Sequence, residues 1–527
     1  MSDLKPMGAW GEGDWIAAIA VVVLGIFLAL GAKIAIQKQP EFAGHPKGLY
    51  MLFFAEMWER FSYYGMRALL IFYLTKHWLF SDGKANLVYG AYTSLVYITP
   101  VLGGYLADRY LGNRKAVTFG GILIAIGHLL MTFEGAGGQN DPTINVFWAA
   151  LAFIIVGTGF LKANISVMVG QLYKLTDVRR DGAYTIFYMG INVGAAIGTI
   201  LVGYLGETIG WGYGFGLAGI GMLAGLVVFV IGKGALMGAG EAPAPLSKSR
   251  EMSLYGIGIA SVAVIWALVQ YQDVIQTLLI ISGVALLAYV LYESFKLEKE
   301  PRERMFAILF LISLNPLFWG LFEQAGGSMS LFTDRFVDRS GTPASLFQSI
   351  NPIIIILMAP VIAVIWQWLG TRGKEPSAPV KFALALAQMG LANLVLVWGA
   401  QAWGIAVMTP VFLVFAYYFF ATTAELCLSP VGLSAMNRLA PKFLASLIMG
   451  AWFYMTAVGN FVAGKIGEAT GGHGGEMSKA KLLEVYELFG WISIGAAVLV
   501  LLLSPIVKRW MHLDTLKDEA PVAEKAA

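Results

Sequence analysis

The chain has 527 residues, of which 58% are hydrophobic and 13% are charged, and its formal net charge is +3. A soluble domain carries about 25% charged residues, so this composition excludes a soluble multidomain protein. The small net charge and the placement of the basic residues in short loops give no case for nucleic-acid binding. The single cysteine, Cys427, and five scattered histidines provide no disulfide and no metal-ligand pair, so the sequence predicts no cofactor.

Apolar segments of membrane-spanning length recur along the whole chain. The first, at residues 15–36, follows an acidic start. We predict a retained transmembrane helix there rather than a signal peptide, because the apolar core is too long and no small-residue cleavage site follows. Further spans are predicted at 47–76, 86–107, 116–134, 145–169, 182–205, 213–233, 253–271, 274–295, 306–325, 347–369, 379–400, 404–426, 442–465 and 486–507. Together they predict about 15 transmembrane helices and an all-α polytopic membrane protein.

The order of these spans suggests two bundles. One helix is followed by six helices, an inserted pair and six more, and two six-helix bundles around a central cavity are the arrangement expected of a major-facilitator-type transporter. A Gly-, Ala- and Pro-rich link at 237–245 reads as a flexible loop before the inserted pair. The predicted division is an extra N-terminal transmembrane helix and link at 1–46, an N-terminal six-helix bundle at 47–235, a linker with two inserted helices at 236–304, a C-terminal six-helix bundle at 305–510 and a cytoplasmic tail at 511–527.

Lysine and arginine residues mark one side of the membrane. They concentrate in loops near 109–115, 174–180, 296–304 and 372–381, and again at 508–509. Because cytoplasmic loops carry an excess of these residues, this side is predicted to be cytoplasmic. The C-terminus is then cytoplasmic and the N-terminus extracytoplasmic, in agreement with an odd number of spans.

The second predicted span carries charges inside an apolar segment. Positions three and four residues apart on it are occupied by Glu56, Glu59, Arg60, Tyr63 and Arg67, so these side chains form one stripe on a helix. A charge at the membrane centre costs at least ~2.5–3.5 kcal/mol on insertion scales. The stripe must therefore face a water-filled cavity or the interior of a helix bundle.

The stretch Glu56-x-x-Glu59-Arg60-Phe61-x-Tyr63-Tyr64-Gly65 is accompanied by further motifs, which lie at 103–115, 159–164, 187–194 and 425–434. The loop at 103–115 resembles the loop motif of the major facilitator superfamily. The other four, in this order, resemble the helix-1, helix-4, helix-5 and helix-10 motifs of the proton-dependent oligopeptide transporter (POT/PTR) family, as found in bacterial peptide transporters. Ala163 stands where the family commonly has proline, and the helix at 15–36 departs from the usual bacterial layout.

The resemblance implies a proton-coupling set, namely Glu56, Glu59, Arg60, Lys162, Glu323 and Glu425. Lys162 lies mid-span with no opposite charge nearby in the sequence, so its ammonium needs a carboxylate from another helix, and Glu56 or Glu59 is the expected partner. Protonation of a glutamate would release the pair and favour the other access state. A static structural ion pair is the alternative interpretation.

The resemblance also implies a peptide site. Arginines can hold a peptide carboxylate with paired donors, Glu425 would hold the amino terminus, and Arg67 and Glu323 would form a gate salt bridge. The predicted substrate-binding residues are Arg60, Tyr63, Tyr64, Arg67, Tyr97, Lys162, Tyr188, Asn192, Trp319, Asn351, Glu425, Ser429 and Trp452. For each aromatic residue, ordinary packing or anchoring at the membrane interface is the alternative, and for Glu425 it is a buried protonated carboxyl.

These observations predict a symporter in the cell membrane that imports di- and tripeptides with protons by alternating access. Its partners are then peptides, protons and the lipid bilayer, and the oligomeric state is left open. A transporter of the same fold for another small solute, such as nitrate or free histidine, is the alternative. An intramembrane enzyme is not expected, because no nucleophile–base pair or metal set is present, and a channel fits buried counter-ions less well.

Overall fold

The computed structural model describes residue 11 and residues 41–174, 177, 179–472 and 475–515. The helix predicted at 15–36 and the tail beyond residue 515 lie outside the described residues. Within them, twelve helices are long and apolar enough to cross a membrane.

Sixteen α-helices are defined in the described residues, numbered in chain order. They are α1 (Lys47–Phe72), α2 (Asp82–Leu106), α3 (Asn113–Met131), α4 (Ile144–Gln171), α5 (Arg180–Thr208), α6 (Trp211–Ile231), α7 (Lys248–Gln270), α8 (Gln272–Phe295), α9 (Lys299–Ser313), α10 (Asn315–Phe322), α11 (Ser328–Phe336), α12 (Ile350–Gly370), α13 (Ala378–Trp403), α14 (Phe412–Leu439), α15 (Ala445–Thr470) and α16 (Lys479–Trp510). Two-residue strands add an antiparallel pair, β1 (Glu41–Phe42) with β2 (His45–Pro46), and a parallel pair, β3 (Val337–Asp338) with β4 (Thr409–Pro410).

Helix α1 was predicted over 47–76, and the α-helix ends at Phe72 before a single π turn, Tyr73–His77. It is absent from the twelve apolar spans because its five charged residues lower its hydropathy. Nearly all of its side chains are buried inside the protein. The charged stripe therefore crosses the membrane region enclosed by other helices, as the cost of exposing charge to lipid requires.

Local sequence signals explain several helix ends. Ser81, Ser247 and Ser478 precede α2, α7 and α16, and each hydroxyl accepts a hydrogen bond from a backbone amide of the first turn, which satisfies one of the unpaired donors there. The span at 299–336 is broken twice. Pro316 lies in the first turn of α10, and a 3₁₀ turn over Glu323–Gly326 separates α10 from α11. This second break places Glu323 at the end of a short helix inside the bundle.

Glycines set the closest helix contacts. A Cβ atom at Gly194 of α5 would lie 2.1 Å from the carbonyl oxygen of Met57, and one at Gly198 would lie 2.2 Å from that of Phe61. Helix α5 therefore packs directly on the backbone of α1, as small residues allow in membrane bundles. Helices α2 and α15 cross in the same way, since a Cβ at Gly90 would lie 2.6 Å from the Cα of Gly464.

The inserted pair α7 and α8 lies against the outside of the bundles, and most of its surface is exposed. Trp266 of α7 donates to the backbone oxygen of Asn145 (3.3 Å), and Tyr454 of α15 donates to that of Leu279 in α8 (2.6 Å). The pair therefore contacts both predicted bundles. The domain boundaries given above stay a prediction.

Candidate substrate cavity

A cavity of about 250 Å³ lies between helices of the two predicted bundles. Eleven of the thirteen predicted substrate residues line it: Tyr64, Arg67, Tyr97, Lys162, Tyr188, Asn192, Trp319, Asn351, Glu425, Ser429 and Trp452. Glu323 lines it as well. The cavity is therefore bordered by cations from α1 and α4 and by carboxylates from the second half of the chain.

Arg60 and Tyr63 do not belong to the lining. Both side chains are buried, and the guanidinium carbon of Arg60 lies 5.6 Å from the centre of the Tyr63 ring. Adjacent residues on a helix point about 100° apart, so Tyr64 faces the cavity while Tyr63 packs inside the first bundle. Arg60 and Tyr63 do not line the cavity in this conformation, and their substrate contacts stay a prediction.

Arg60 is held by two carboxylates of its own helix. Its Nε donates to Glu56 Oε1 at 2.8 Å and lies 2.6 Å from Glu59 Oε2. All three side chains are at most 3% exposed. Glu56 Oε2, Glu59 Oε1 and Arg60 Nη2 have no hydrogen-bond partner within the described chain. One guanidinium therefore faces two buried carboxylates, which leaves the group one negative charge in excess when both are ionised.

Lys162 is not paired as the sequence predicted. Its Nζ lies 3.6 Å from the centre of the Tyr97 ring, a cation–π contact. None of the ion pairs found among the described residues involves it, and Glu56 and Glu59 both contact Arg60 instead. The prediction of a direct Lys162–glutamate pair is therefore wrong for this conformation. Arg60 reaches both glutamates within one helical turn of α1, whereas Lys162 would have to reach them from α4.

The predicted gate partners are in contact. Arg67 Nη2 forms an ion pair with Glu323 Oε2, and Arg67 Nε donates to the Tyr89 hydroxyl at 2.5 Å. The guanidinium carbon also lies 5.8 Å from the ring centre of Tyr64 and 5.6 Å from that of Tyr89. This pair joins α1 to the break between α10 and α11, and hence one predicted bundle to the other.

Glu425 has a different environment. Its Oε2 accepts a hydrogen bond from Asn351 Nδ2 at 3.1 Å, and the same nitrogen donates to Thr422 Oγ1 at 3.0 Å. No lysine or arginine contacts Glu425 in the part of the chain that the structure describes. On one side the cavity therefore presents a carboxylate that accepts a hydrogen bond from a neutral amide. On the other side it presents an ammonium that lies against an aromatic ring and forms no direct ion pair among the described residues.

Comparison with known proteins places this arrangement in a family. A profile of the POT family matches residues 114–473. The chain is 38% identical over 500 residues to the peptide transporter YePEPT of Yersinia enterocolitica, covering 88% of this chain and 95% of that protein. It is 36% identical over 493 residues to the uncharacterized transporter YclF of Bacillus subtilis, covering 90% of this chain and 96% of that protein.

Solved structures agree with these relatives. The crystal structure of a POT family transporter in complex with a thioalcohol-conjugated peptide has a TM-score of 0.77 and 32% sequence identity, and the match covers 89% of this chain and 98% of that one. The chain belongs to the POT family. Its fold is thus the all-α major facilitator fold of a polytopic membrane protein, as the motifs predicted, and the family to which it belongs is one of peptide transporters.

In this POT-family protein the two predicted bundles are tied together at one end. Arg335 donates to both carboxylate oxygens of Asp82 at 2.6 and 2.7 Å, and Lys76 pairs with Asp334 at 2.8 Å. Among the described residues, no ion pair joins 47–235 to 305–510 at the opposite end, where the loops predicted to be cytoplasmic lie. The lining residue Tyr188 is 43% exposed.

The POT-family cavity also contains residues that the sequence analysis did not select. Gln348, in the 3₁₀ turn Ala344–Ser349, donates to the backbone oxygen of Ala68 (3.3 Å) and to Ser330 Oγ (2.9 Å). Further lining side chains are Ile191, Thr199, Phe322, Ile355, Tyr418, Leu433 and Phe453. Gln348 lies three residues before Asn351, so helical spacing from that predicted position was the available signal.

Proposed function

We propose that this protein is a proton-coupled symporter that imports di- and tripeptides across the cell membrane by alternating access. The observation that carries the proposal is the pair of opposed charges in the cavity. Lys162 and Glu425 line it from the two predicted bundles, and among the described residues neither forms a direct ion pair with an opposite charge. A free peptide carries a carboxylate at one end and an ammonium at the other, which matches this polarity.

The rest of the cavity suits a short peptide. Asn192 and Asn351 supply amide groups that can bond to a peptide bond, while Trp319, Phe322 and Trp452 supply apolar surface for side chains. Arg67 is occupied by Glu323 and Tyr89, so we assign the peptide carboxylate to Lys162 in this conformation.

Proton coupling is assigned to the Glu56–Glu59–Arg60 group. Protonation of one carboxylate removes its excess negative charge and leaves a neutral ion pair, which is the less costly state inside a bundle. The loss of this negative charge weakens the attraction between α1 and the Lys162 ammonium. Inward movement of one proton supplies about 2.3 kcal/mol per 100 mV of membrane potential, enough to drive peptide accumulation.

The gate role is assigned to Arg67 and Glu323, because they join the two predicted bundles beside the cavity. The Asp82–Arg335 pair lies further toward the same end. Both pairs must separate before the cavity can open there.

Uptake of labelled dialanine into liposomes, with and without an inward proton gradient, tests the proposal. We expect gradient-dependent accumulation that a protonophore abolishes. Absence of dialanine uptake by folded protein that still exchanges another solute would retain the fold and reject the peptide assignment.

A symporter for another small anion is the second candidate, because the ammonium of Lys162 is open to any anion. Competition distinguishes the two. Dipeptides should inhibit uptake of labelled dialanine and nitrate should not, whereas the reverse order would favour the second candidate.

A further inference from the structure

A second cavity, of about 420 Å³, lies in the chain's second half. It shares α14 with the substrate cavity, because Val431 and Ser434 line it while Ser429 and Leu433 line the substrate cavity. It is formed where α13 begins and where α14 and α16 end, at the membrane side that the lysine and arginine distribution predicts to be cytoplasmic. Three basic side chains line it, Lys381, Arg438 and Lys508, together with one carboxylate, Glu375. The cavity therefore has an excess of two positive charges.

Only one of these cations is neutralised within the described chain. Lys381 is nearly buried, with 8% of its side chain exposed, and its Nζ lies 2.5 Å from Glu375 Oε1. Arg438 and Lys508 have no ion pair or hydrogen-bond acceptor among the described residues. Both lie in the last turn of their helices, where the helix dipole favours a cation, but their N–H groups remain available to a ligand.

Backbone and hydroxyl donors reach the same cavity. Ser377 precedes α13, its side chain caps no amide of the first turn, and Ser377 and Ala378 both line the cavity. The unpaired amides at the start of a long helix attract an anion, phosphate in particular. Ser434 adds an exposed hydroxyl from α14. Guanidinium, ammonium, hydroxyl and helix N-terminus thus converge on one space.

We propose that this cavity binds the phosphate headgroup of an anionic phospholipid. The position of the cavity favours a lipid as the source of the phosphate, because three membrane helices end there, at headgroup depth. On α16, Leu501 is 52% exposed. Leu501 and Lys508 are two turns apart on one face of that helix. An acyl chain can therefore follow α16 while its phosphate reaches Lys508 and Arg438.

Native mass spectrometry of the full chain, with phosphatidylglycerol or phosphatidylcholine added, tests the proposal. A basic side chain near an anionic surface contributes about a fivefold gain in affinity. We therefore expect R438Q/K508Q to lose phosphatidylglycerol binding by roughly twentyfold, while phosphatidylcholine binds weakly to both proteins. The matched control is R372Q/K374Q, which removes two charges from the neighbouring loop outside the cavity and should leave binding within about twofold of the parent.

Four outcomes would overturn the proposal. An equal loss of phosphatidylglycerol binding in both double variants would show only a general attraction to a basic surface. Equal affinity of the parent for phosphatidylglycerol and phosphatidylcholine would show that the negative charge of the lipid does not contribute to binding. Displacement of the lipid by millimolar inorganic phosphate would identify free phosphate as the ligand. Asp518 and Glu519 follow in the sequence, and a several-fold gain in lipid affinity in D518N/E519Q would identify the chain's own tail as the occupant. Arg438→Lys, which keeps the charge, should lose less than Arg438→Gln and so separates charge from misfolding.

Discussion

The two sides of the substrate cavity hold their carboxylates in different ways. On α1, Glu56 and Glu59 share one guanidinium and are sealed from solvent. On α14, Glu425 lines the cavity and accepts a hydrogen bond from a neutral amide. A buried group with an internal cation can exchange a proton without losing its partner, whereas a carboxylate that faces the cavity without a cation is suited to receive one from the substrate. Glutamate is thus suited to proton coupling on the α1 side of the cavity and to substrate recognition on the α14 side.

Neutralising either Glu56 or Glu59 on α1 should have the largest effect on transport. In E56Q or E59Q, gradient-driven accumulation should fall to simple equilibration, while exchange of peptide for peptide continues. In the parent, one proton per peptide would support about fiftyfold accumulation per 100 mV. Uptake into liposomes against a set potential measures this ratio. The control Glu484→Gln alters an exposed carboxylate and should accumulate like the parent. Accumulation by both α1 variants would disprove the coupling assignment.

Glu425→Gln should instead weaken recognition. Loss of the charge partner for the peptide ammonium should raise the KM for dialanine by roughly thirtyfold. N-acetyl-dialanine has no ammonium, so its inhibition constant should be the same for parent and variant. Inhibition assays with the two compounds make the comparison, and an equal loss for both would assign Glu425 to packing.

Breaking the Arg67–Glu323 ion pair of the gate should have a smaller effect than the substitutions above. Ala325 lines the cavity beside Glu323, so Ala325→Cys in a Cys427→Ser background reports access from the outer side through labelling by an impermeant maleimide. Glu323→Gln should raise the labelling rate about tenfold, because it removes a buried ion pair. Asp334→Asn breaks the more exposed pair with Lys76 and should change the rate by no more than about twofold. Equal rates in the two variants would place the gate elsewhere.

Removing the aromatic ring of Tyr97, which contacts Lys162, should have the smallest effect on transport. Tyr97→Leu removes the cation–π contact and should raise the KM for dialanine about threefold. Tyr97→Phe retains the ring and should behave like the parent. A loss in Tyr97→Phe equal to that in Tyr97→Leu would show that the hydroxyl, not the ring, is the functional group.

The spacing of the charged residues predicted the stripe on α1, and the motifs together predicted the family. Eleven of the thirteen predicted substrate residues line the cavity. The pairing of Lys162 could not be predicted, because helical spacing shows which residues share a face but not which of two cations reaches a carboxylate first. Tyr63 and Tyr64 were both assigned to the cavity because both belong to the helix-1 motif, and a motif match does not show which side chain turns toward the cavity once the helix is packed. Gln348 lies outside the motifs, and its spacing of three residues from Asn351 is a weak signal until the 3₁₀ turn that carries it is placed against α1.

The crossing of α2 and α15 at Gly90 and Gly464 has a mechanical consequence. These helices belong to opposite predicted bundles, and they meet where neither has a side chain. Interlocked side chains would resist a change of angle, whereas two bare backbones can roll on each other without repacking. The crossing can therefore serve as a fulcrum, about which a small loss of contact at one end becomes a wider separation at the other.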